Sequence, residues 1–400
     1  MSDKQVLRKE YDVVVAGGGI AGIAAALAAA REGSKVVLLE KEYALGGLAT
    51  LGLIVIYLPL CDGDGVQMSA GISEELLKLS VHDSNVTLPK AWEDENASIE
   101  ERRKERYQVT YNAPTLMINA EKRLVEEGVT VLYDARMTDV TVGKDAVTSV
   151  TVATKRGPME IIAKAFVDCT GDADLCYFAD EETVDDDHNR RTGWYFANGN
   201  SGIQLVGLTD PLWNDPLHPE TDVPPVEGSR YYSGTDIFDI SAHMIDMRKF
   251  IMDNIRKRRT VDEKAYPLII PSYHGFRMTR RLADEFEFSE GYHEGIWFED
   301  AIGMIGNWKY PGKRYSIPYR TICGNKNKNL YVAGRNTPAD KGGWDLLRVI
   351  PSCAVTGEAA GVAAAMQAKS GARPEIGALQ QKLREKGVLL LPELFAKREK

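Results

Sequence analysis

The sequence has no Cys-x-x-Cys pair, no apolar run long enough to cross a bilayer and no excess of basic charge. Its five cysteines, Cys61, Cys169, Cys176, Cys323 and Cys353, lie singly along 400 residues. That scatter argues against a structural zinc, an iron-sulfur cluster or a dithiol centre, so no metal is expected and the thiols read as reduced core residues. The longest apolar stretch, Leu51 to Leu60, is about half of the roughly 20 residues that a membrane span needs, and Pro59 interrupts it. The opening Met1-Ser2-Asp3-Lys4-Gln5 is polar, with no apolar segment of a secretory signal, and a cytoplasmic location is the expectation. The formal net charge is -9. The one dense basic run, Arg256 to Arg259, follows a helix-like stretch from His243 to Asn254 and reads as a solvated helix end. Neither nucleic acid nor membrane insertion is expected.

What is present is an ordinary globular composition, 44% apolar and 27% charged, in a chain too long for one comfortable hydrophobic core. Two lobes, or one large α/β domain with an insertion, are expected. Asp12 to Ala16 reads as a buried strand, because a β-branched run that ends in glycine suits a parallel strand covered on both faces. The spacing Gly17-x-Gly19-x-x-Gly22 leads into an alanine-rich helix from Ile20 to Glu32 that Gly33 terminates, and Lys35 to Leu39 forms a second strand. In such a unit Gly17 permits a tight turn and Gly19 admits a pyrophosphate to the backbone. Gly22 lets helix and strand approach, and the helix N-terminus offers N–H groups to phosphates. Glu40 ends the second strand, where a carboxylate accepts both ribose hydroxyls. Strand, helix, strand and acid agree in order, which makes this a dinucleotide cradle.

The choice of dinucleotide rests on the residues beyond Glu40. Gly46-Gly47 forms a turn soon after that carboxylate, at a place where flavoproteins bring backbone against the flavin half of FAD. Val129 to Tyr133 reads as a strand, and Arg136–Val142, Ala146–Thr154 and Glu160–Ala163 as a β-meander. Ala165 to Asp168 then closes in Thr170-Gly171-Asp172. Near the C-terminus, Asn329 to Ala333 closes in Gly334-Arg335. Arg348 to Cys353 opens a helix from Ala354 to Gln367, whose Gly357 to Gly361 face suits close packing on the sheet. A helix N-terminus aimed at a flavin stabilises charge on the reduced ring. No second Gly-x-Gly-x-x-Gly appears, since Gly303 to Gly306 has only G-x-x-G, so a dedicated nicotinamide domain is not expected.

These stretches, together with AGISEEL at Ala70 to Leu76, GFRMTRRL and IPYRTI, resemble the FAD-dependent oxidoreductases related to glutathione-reductase-type Rossmann flavoproteins and, more distantly, to fumarate reductase flavoproteins. The resemblance covers most of the chain and is weakest at about 173 to 198, where the acidic run Asp185 to Asp187 falls. It implies non-covalent FAD with Gly17, Gly19, Gly22, Glu40, Lys41, Gly47, Thr170, Gly171, Gly334, Arg335 and Pro351 around it; Arg348, from its own place just before the last helix, reads as supporting flavin or substrate. It also implies an α/β fold with a discontinuous FAD-binding Rossmann-like domain, residues 1–172 and 326–400, and an inserted α+β substrate domain at 173–325.

The middle segment 172–325 holds 22 of the 33 aromatic residues, in well under half the length. Trp194, Trp213, Trp297 and Trp308, the Trp194-Tyr195-Phe196 cluster and Tyr231-Tyr232 suit either an aromatic-walled pocket or the core of a small lobe. Flavin oxidation of a C–H bond needs a base, and His274 is the first candidate, ahead of His293 and His243. Arg277 and Arg281, four apart, share a face if helical, with Asp284 and Glu285 as partners in the plainer reading. Arg277 is the leading binder of a carboxylate or oxyanion, and Arg320 looks placed for a similar role. Cys353 reads mainly as a packing residue, although a helix start lowers a thiol pKa. The expected activity is hydride abstraction from a small sugar, hydroxy or amine compound, with an external electron acceptor or donor. Reduction of an activated C=C bond and a non-catalytic electron-transfer subunit are the alternatives. Oligomerisation remains open.

Overall fold

The computed structural model describes residues 7–208 and 230–399. Its centre is a parallel sheet of five strands: β1 (Val13–Ala16), β2 (Val36–Leu39), β3 (Thr130–Leu132), β4 (Ala165–Asp168) and β5 (Leu330–Val332). Their spatial order is β5-β4-β1-β2-β3, so the strand nearest the C-terminus lies two places from β1. All eight residues of β1 and β2 are buried, as expected of parallel strands covered on both faces. The chain forms a Rossmann-like α/β domain completed by its last quarter.

Helix Ile20–Arg31 follows β1 and stops at Glu32, with Gly33 at φ +81°. The second core helix is longer than its sequence suggests, running from Ile350 to Ser370 with Pro351 in its first turn. Its glycines face the first helix rather than the sheet. A Cβ on Gly357 would lie 2.3 Å from the Ala21 carbonyl oxygen, and one on Gly361 would lie 2.2 Å from that of Ala25. Alanine and glycine on both surfaces thus allow backbone contact between helices about 330 residues apart.

The β-meander forms from Arg136–Val142, Val147–Thr154 and Gly157–Ile162. Leu7–Glu10 adds a parallel edge to it; all four of its residues are exposed, so no buried pattern marks it in the sequence. The inserted segment carries an antiparallel sheet in the order Gln204–Gly207, Trp194–Asn198, Tyr266–Ile269, covered by the helix Ile237–Arg258. Tyr195, Ala197, Val206 and Leu208 meet Met247, Ile251 and Ile255 in a separate small core. The hairpin Ala301–Gly306 and Arg314–Pro318 instead joins the main core, where a Cβ on Gly303 would strike Val355 at 2.2 Å.

The Arg277–Arg281 stretch is not helical. Arg280–Leu282 is a strand paired with Thr183–Asp185, which places successive arginines on opposite sides. Arg280 pairs with Asp174 at 2.6 Å and Arg281 with Glu287 at 2.6 Å, in place of Asp284 and Glu285. No single helix among the described residues is long and apolar enough to cross a membrane. The pair Lys341–Leu347 and Ile350–Ser370 passes on length and composition together, but it bends by 82° and its longer member is buried in the core. Met1 to Gln5 and Trp213 lie outside the described residues.

Gly361→Ala should cost about 1–3 kcal/mol, the usual penalty for overpacking a tight contact, read as a fall in thermal midpoint. Gly377→Ala, where a Cβ meets nothing within 4 Å, should leave the midpoint unchanged or slightly raised. Equal midpoints for the two variants would contradict the backbone contact.

Candidate active site

The loops at the C-terminal ends of β1, β2, β4 and β5 converge on a cavity of about 390 Å³. Gly17, at φ +100°, turns the chain where a Cβ would strike the Cys169 carbonyl oxygen at 2.4 Å, whereas a Cβ on Gly19 would meet no atom within 4 Å. Gly19 therefore opens onto space at the N-terminus of the first helix, a cradle that a side chain would fill and a pyrophosphate fits. Gly46 donates its N–H to the Gly18 carbonyl at 2.8 Å. This bond lays the Gly46-Gly47 turn beside the glycine loop, with Gly47 at φ +53°.

The Glu40 carboxylate accepts the N–H groups of Gly18 and Glu42, each at 2.8 Å. Burial raises its pKa and the two N–H groups oppose that rise. Each oxygen retains acceptor capacity for a ribose hydroxyl. The wall also carries Lys41, Gly47, Thr170, Gly171, Gly334, Arg335, Arg348 and Arg277. Burial alone works against the Lys41 ammonium, but Tyr273, Asp172 and Asp174 outweigh it and raise its pKa. Asp174 is itself pushed up to about 6, first by burial and then by Asp172.

Two residues expected around the cofactor do not line the cavity. Gly22 is a packing position, where a Cβ would sit 1.8 Å from the Gly17 carbonyl oxygen. Pro351 is buried in the first helical turn, and its carbonyl accepts from Ser73 Oγ at 3.2 Å. Their neighbours Val349, Ile350 and Cys353 reach the wall instead. Burial drives the Cys353 thiol up to about 12, so the helix start does not activate it.

His274 is also off the wall. Its ring lies 4.2 Å from that of Tyr273 and 4.8 Å from that of Phe276, and Tyr273 takes the place at the cavity. His293 accepts the Ser289 N–H through Nδ1 and stacks on Phe286. His243 is fully buried between aromatic rings with neither nitrogen bonded. Among the described residues, no histidine lines the cavity. Arg320 is likewise elsewhere, paired with Asp300 and Glu399.

Arg277 reaches the wall through a loop fixed at several points. Gly275 lies so close to Thr192 that a Cβ would stand 2.2 Å from its carbonyl oxygen. The Arg277 N–H donates to Asn189 Oδ1 at 3.2 Å, and its carbonyl accepts from Arg335 Nη1 at 3.4 Å. Arg335 is anchored in turn to Asp172 at 3.1 Å. The Arg277 guanidinium lies 5.7 Å from the Trp194 ring centre and 3.4 Å from Thr192 Oγ1, and its Nε is unbonded. It has no carboxylate partner among the described residues, whereas Arg348 and Lys309 share Asp345. Burial, followed by repulsion from Arg348 and Arg335, brings its pKa down to about 9 despite Asp345.

Beside Arg277 the wall includes Thr192, Trp194, Trp308, Ile54, Ile56 and Leu58. The middle segment's aromatics thus divide: Trp194 and Trp308 face the cavity, while Tyr195 and Trp297 fill cores. The apolar run Leu51 to Leu60 contributes three side chains that its sequence pattern does not assign to a site. Arg136 and Met137, at the start of the meander, join the wall with no local signal to mark them. Asp186, Asp187 and His188 bring ligand atoms within 4.8 Å of one another, but they form surface ion pairs away from this wall.

The sequence matches the family described as FAD dependent oxidoreductase over residues 12–215 and 292–383. No curated protein matches it. Similar solved structures include CabE, an aromatic hydroxylase from angucycline biosynthesis, at 12% identity and a TM-score of 0.48, covering 95% of this chain and 66% of that one. The chain thus spans just under two thirds of that protein's length. A geranylgeranyl bacteriochlorophyll reductase-like protein from Thermoplasma acidophilum shows 13% identity and a TM-score of 0.43, over 95% and 83% of the chains. The p-nitrophenol 4-monooxygenase PnpA from Pseudomonas putida DLL-E4 shows 13% identity and a TM-score of 0.45, over 95% and 85%.

The buried imidazoles make stability depend on pH. Burial lowers His243 to about 4, with Asp246 opposing and Arg191 assisting. It lowers His274 to about 3, with Asp172 opposing and Arg335 and Lys41 assisting. Both values lie below the ordinary value of about 6.5, so unfolding takes up protons. Their contribution is whole above about pH 6.5 and is lost as pH falls toward 4, by up to about 2.7 kcal/mol per pH unit when both titrate. Asp174 and Glu358, which burial pushes up to about 6 and about 8, act in the opposite sense over the same range, so the imidazole is read by difference. In denaturant melts between pH 7 and 4.5 the stability of the wild type relative to His243→Phe should fall by up to about 1.4 kcal/mol per pH unit. A constant difference would contradict it.

Proposed function

The chain belongs to the FAD dependent oxidoreductase family, and on that premise we propose that it oxidises a small organic anion, with the substrate charge held by Arg277 and a C–H hydride passed to the flavin. The observation that carries this reading is a half-buried guanidinium on the cavity wall, its Nε buried and unbonded, with no carboxylate partner among the described residues. A partly desolvated cation without a carboxylate in contact is unfavourable, and an anionic ligand relieves the cost.

When bound, FAD supplies a two-electron hydride centre at its ring nitrogen N5. Gly17, Gly19 and the start of the first helix would hold its pyrophosphate, and Glu40 would hold its ribose. The Gly46-Gly47 turn and the first turn of helix Ile350–Ser370 would flank the ring. Trp194, Trp308, Ile54 and Ile56 give the cavity that Arg277 lines an apolar wall, which lowers the local dielectric and strengthens its grip on an anion. Thr192 Oγ1 adds a polar contact at the same place. In this reading the proton released from the substrate hydroxyl or amine passes to solvent, and the electrons leave to an external acceptor.

One observation favours the opposite direction, reduction of an activated C=C bond. No histidine faces the cavity among the described residues, and Arg277, brought down to about 9, is a wall group able to supply the proton that such a reduction consumes. The two directions separate cleanly in anaerobic spectra. Bleaching of the oxidised enzyme by a hydroxy or amino acid supports oxidation, whereas reoxidation of dithionite-reduced enzyme by an enoate supports reduction.

In either direction Arg277→Gln should raise KM for the anionic substrate roughly 10- to 100-fold, as loss of a charged hydrogen bond implies, with FAD content retained. Arg277→Lys should recover part of the loss. Unchanged KM in both variants would contradict Arg277 as the anion anchor.

A further inference from the structure

Polarity is distributed unequally along the cavity wall. The carboxylates that line it among the described residues, Glu40, Glu42 and Asp174, gather at one end with Lys41 and Arg136. There the N–H groups of Glu42 and Ala135 both bond to Glu40, the helix Asp174–Phe178 packs on the strand Arg136–Val142, and the Lys41 ammonium lies 5.3 Å from the centre of the Tyr273 ring. This is the ribose end.

The opposite end is bounded by a closed circuit of contacts. The Ser272 N–H donates to the Leu51 carbonyl at 3.0 Å, which sets the Arg277 loop against the segment 51–60. The Leu60 N–H donates to the Tyr107 carbonyl at 3.0 Å, and Arg106 Nη1 donates to the Trp308 carbonyl at 2.7 Å. Lys309 pairs with Asp345 at 2.7 Å. Trp344, the neighbour of Asp345, donates its indole N–H to the Arg335 carbonyl, and Arg335 Nη1 returns to the Arg277 carbonyl at 3.4 Å.

The side chains that this circuit brings to the wall are Ile54, Ile56, Leu58, Trp194 and Trp308, with Arg277, Arg348 and Thr192 as the polar members. The Arg348 side chain is only 8% exposed and is held by Asp345, so Arg277 and Thr192 are the polar side chains that a ligand meets. Ile54, Ile56 and Leu58 are half-buried and alternate with buried Val55, Tyr57 and Pro59. In extended chain they make a row about 13 Å long, well beyond the reach of a two-carbon acid. The backbone of the row is engaged within the chain: the Ile54 carbonyl accepts the Tyr111 hydroxyl at 2.9 Å, and the Val55 carbonyl accepts the Tyr111 N–H at 2.9 Å. The part of a ligand beyond its carboxylate therefore meets aliphatic and indole surface. Methylene groups or a ring gain by leaving water there, whereas a hydroxyl gives up its water and finds no side-chain partner.

We propose that the substrate is a carboxylic acid with an apolar body, an alkyl chain or ring of benzene size or larger, and that sugar acids and short hydroxy acids are excluded. The proposal rests on Arg277 as the anion anchor and adds what lies beyond the anion. The reacting hydroxyl or amine sits next to the carboxylate, beside Thr192 Oγ1, which is 3.4 Å from the Arg277 guanidinium.

The test is isothermal titration calorimetry of the oxidised, FAD-loaded chain at pH 7 with acetate, hexanoate, phenylacetate and gluconate, which carry equal charge. Hexanoate and gluconate have the same number of carbons and differ in their hydroxyls. Hexanoate and phenylacetate should bind at least about 10-fold more tightly than acetate, as burial of several methylene groups implies, and at least about 100-fold more tightly than gluconate, whose hydroxyls would be buried without partners. Ile56→Thr should weaken hexanoate and leave acetate as it was; the wild-type series stands as a test even if that variant does not fold. Acetate as tight as hexanoate and phenylacetate, or gluconate as tight as hexanoate, would overturn the proposal. If Arg277→Gln still weakens every acid in that case, the anion anchor survives and only the apolar body is lost. A preference for hexanoate that Arg277→Gln leaves untouched, or no binding by any of these acids, would remove the anchor and the proposal with it.

Discussion

Backbone contact between two helices from opposite ends of the chain is the constraint on which the site depends. Gly357 and Gly361 press against the carbonyls of Ala21 and Ala25, and no larger residue fits there without displacing backbone. The contact holds the first turn of the C-terminal helix beside the glycine loop. It thereby brings Val349, Ile350, Cys353 and Gly334 to the same cavity as Gly17 and Gly19. The FAD cradle is therefore a tertiary product of residues that no local segment contains.

Electrostatics then divides the wall. Around Lys41, Asp172, Asp174 and Arg335, buried charges are matched, and the pairs fix the loop after β4 against the loop after β5. Around Arg277 they are unmatched. Arg348 and Lys309 are held by Asp345, which leaves the Arg277 guanidinium without a carboxylate in contact on the same wall as Trp194 and Trp308. A cation on a cavity wall with no carboxylate in contact marks a place that an anionic ligand completes.

The Rossmann unit was legible because its signals are local: a β-branched strand, glycines at fixed spacing and an acid at the next strand's end. Glu40, Gly17 and Gly19 lie where that pattern implies. Which side chain of the 272–277 loop faces the cavity was not legible. His274 is one residue from the wall, and the turn at Gly275 presents Tyr273 in its place, a choice of side made by tertiary packing. Four-residue spacing between Arg277 and Arg281 suggested a helix, but pairing with Thr183–Asp185 imposed a strand. Ile54, Ile56 and Leu58 alternate as a half-exposed strand does, yet nothing local shows that the exposed side is a cavity.

The most direct measurement is the visible spectrum of the purified protein, taken before and after acid precipitation, beside that of Gly19→Val. The wild type should show flavin bands, release FAD to the supernatant, and lose both when valine fills the space above residue 19. A colourless wild type that cannot be reconstituted with FAD, or a Gly19→Val variant with full FAD content, would contradict the account of the cradle.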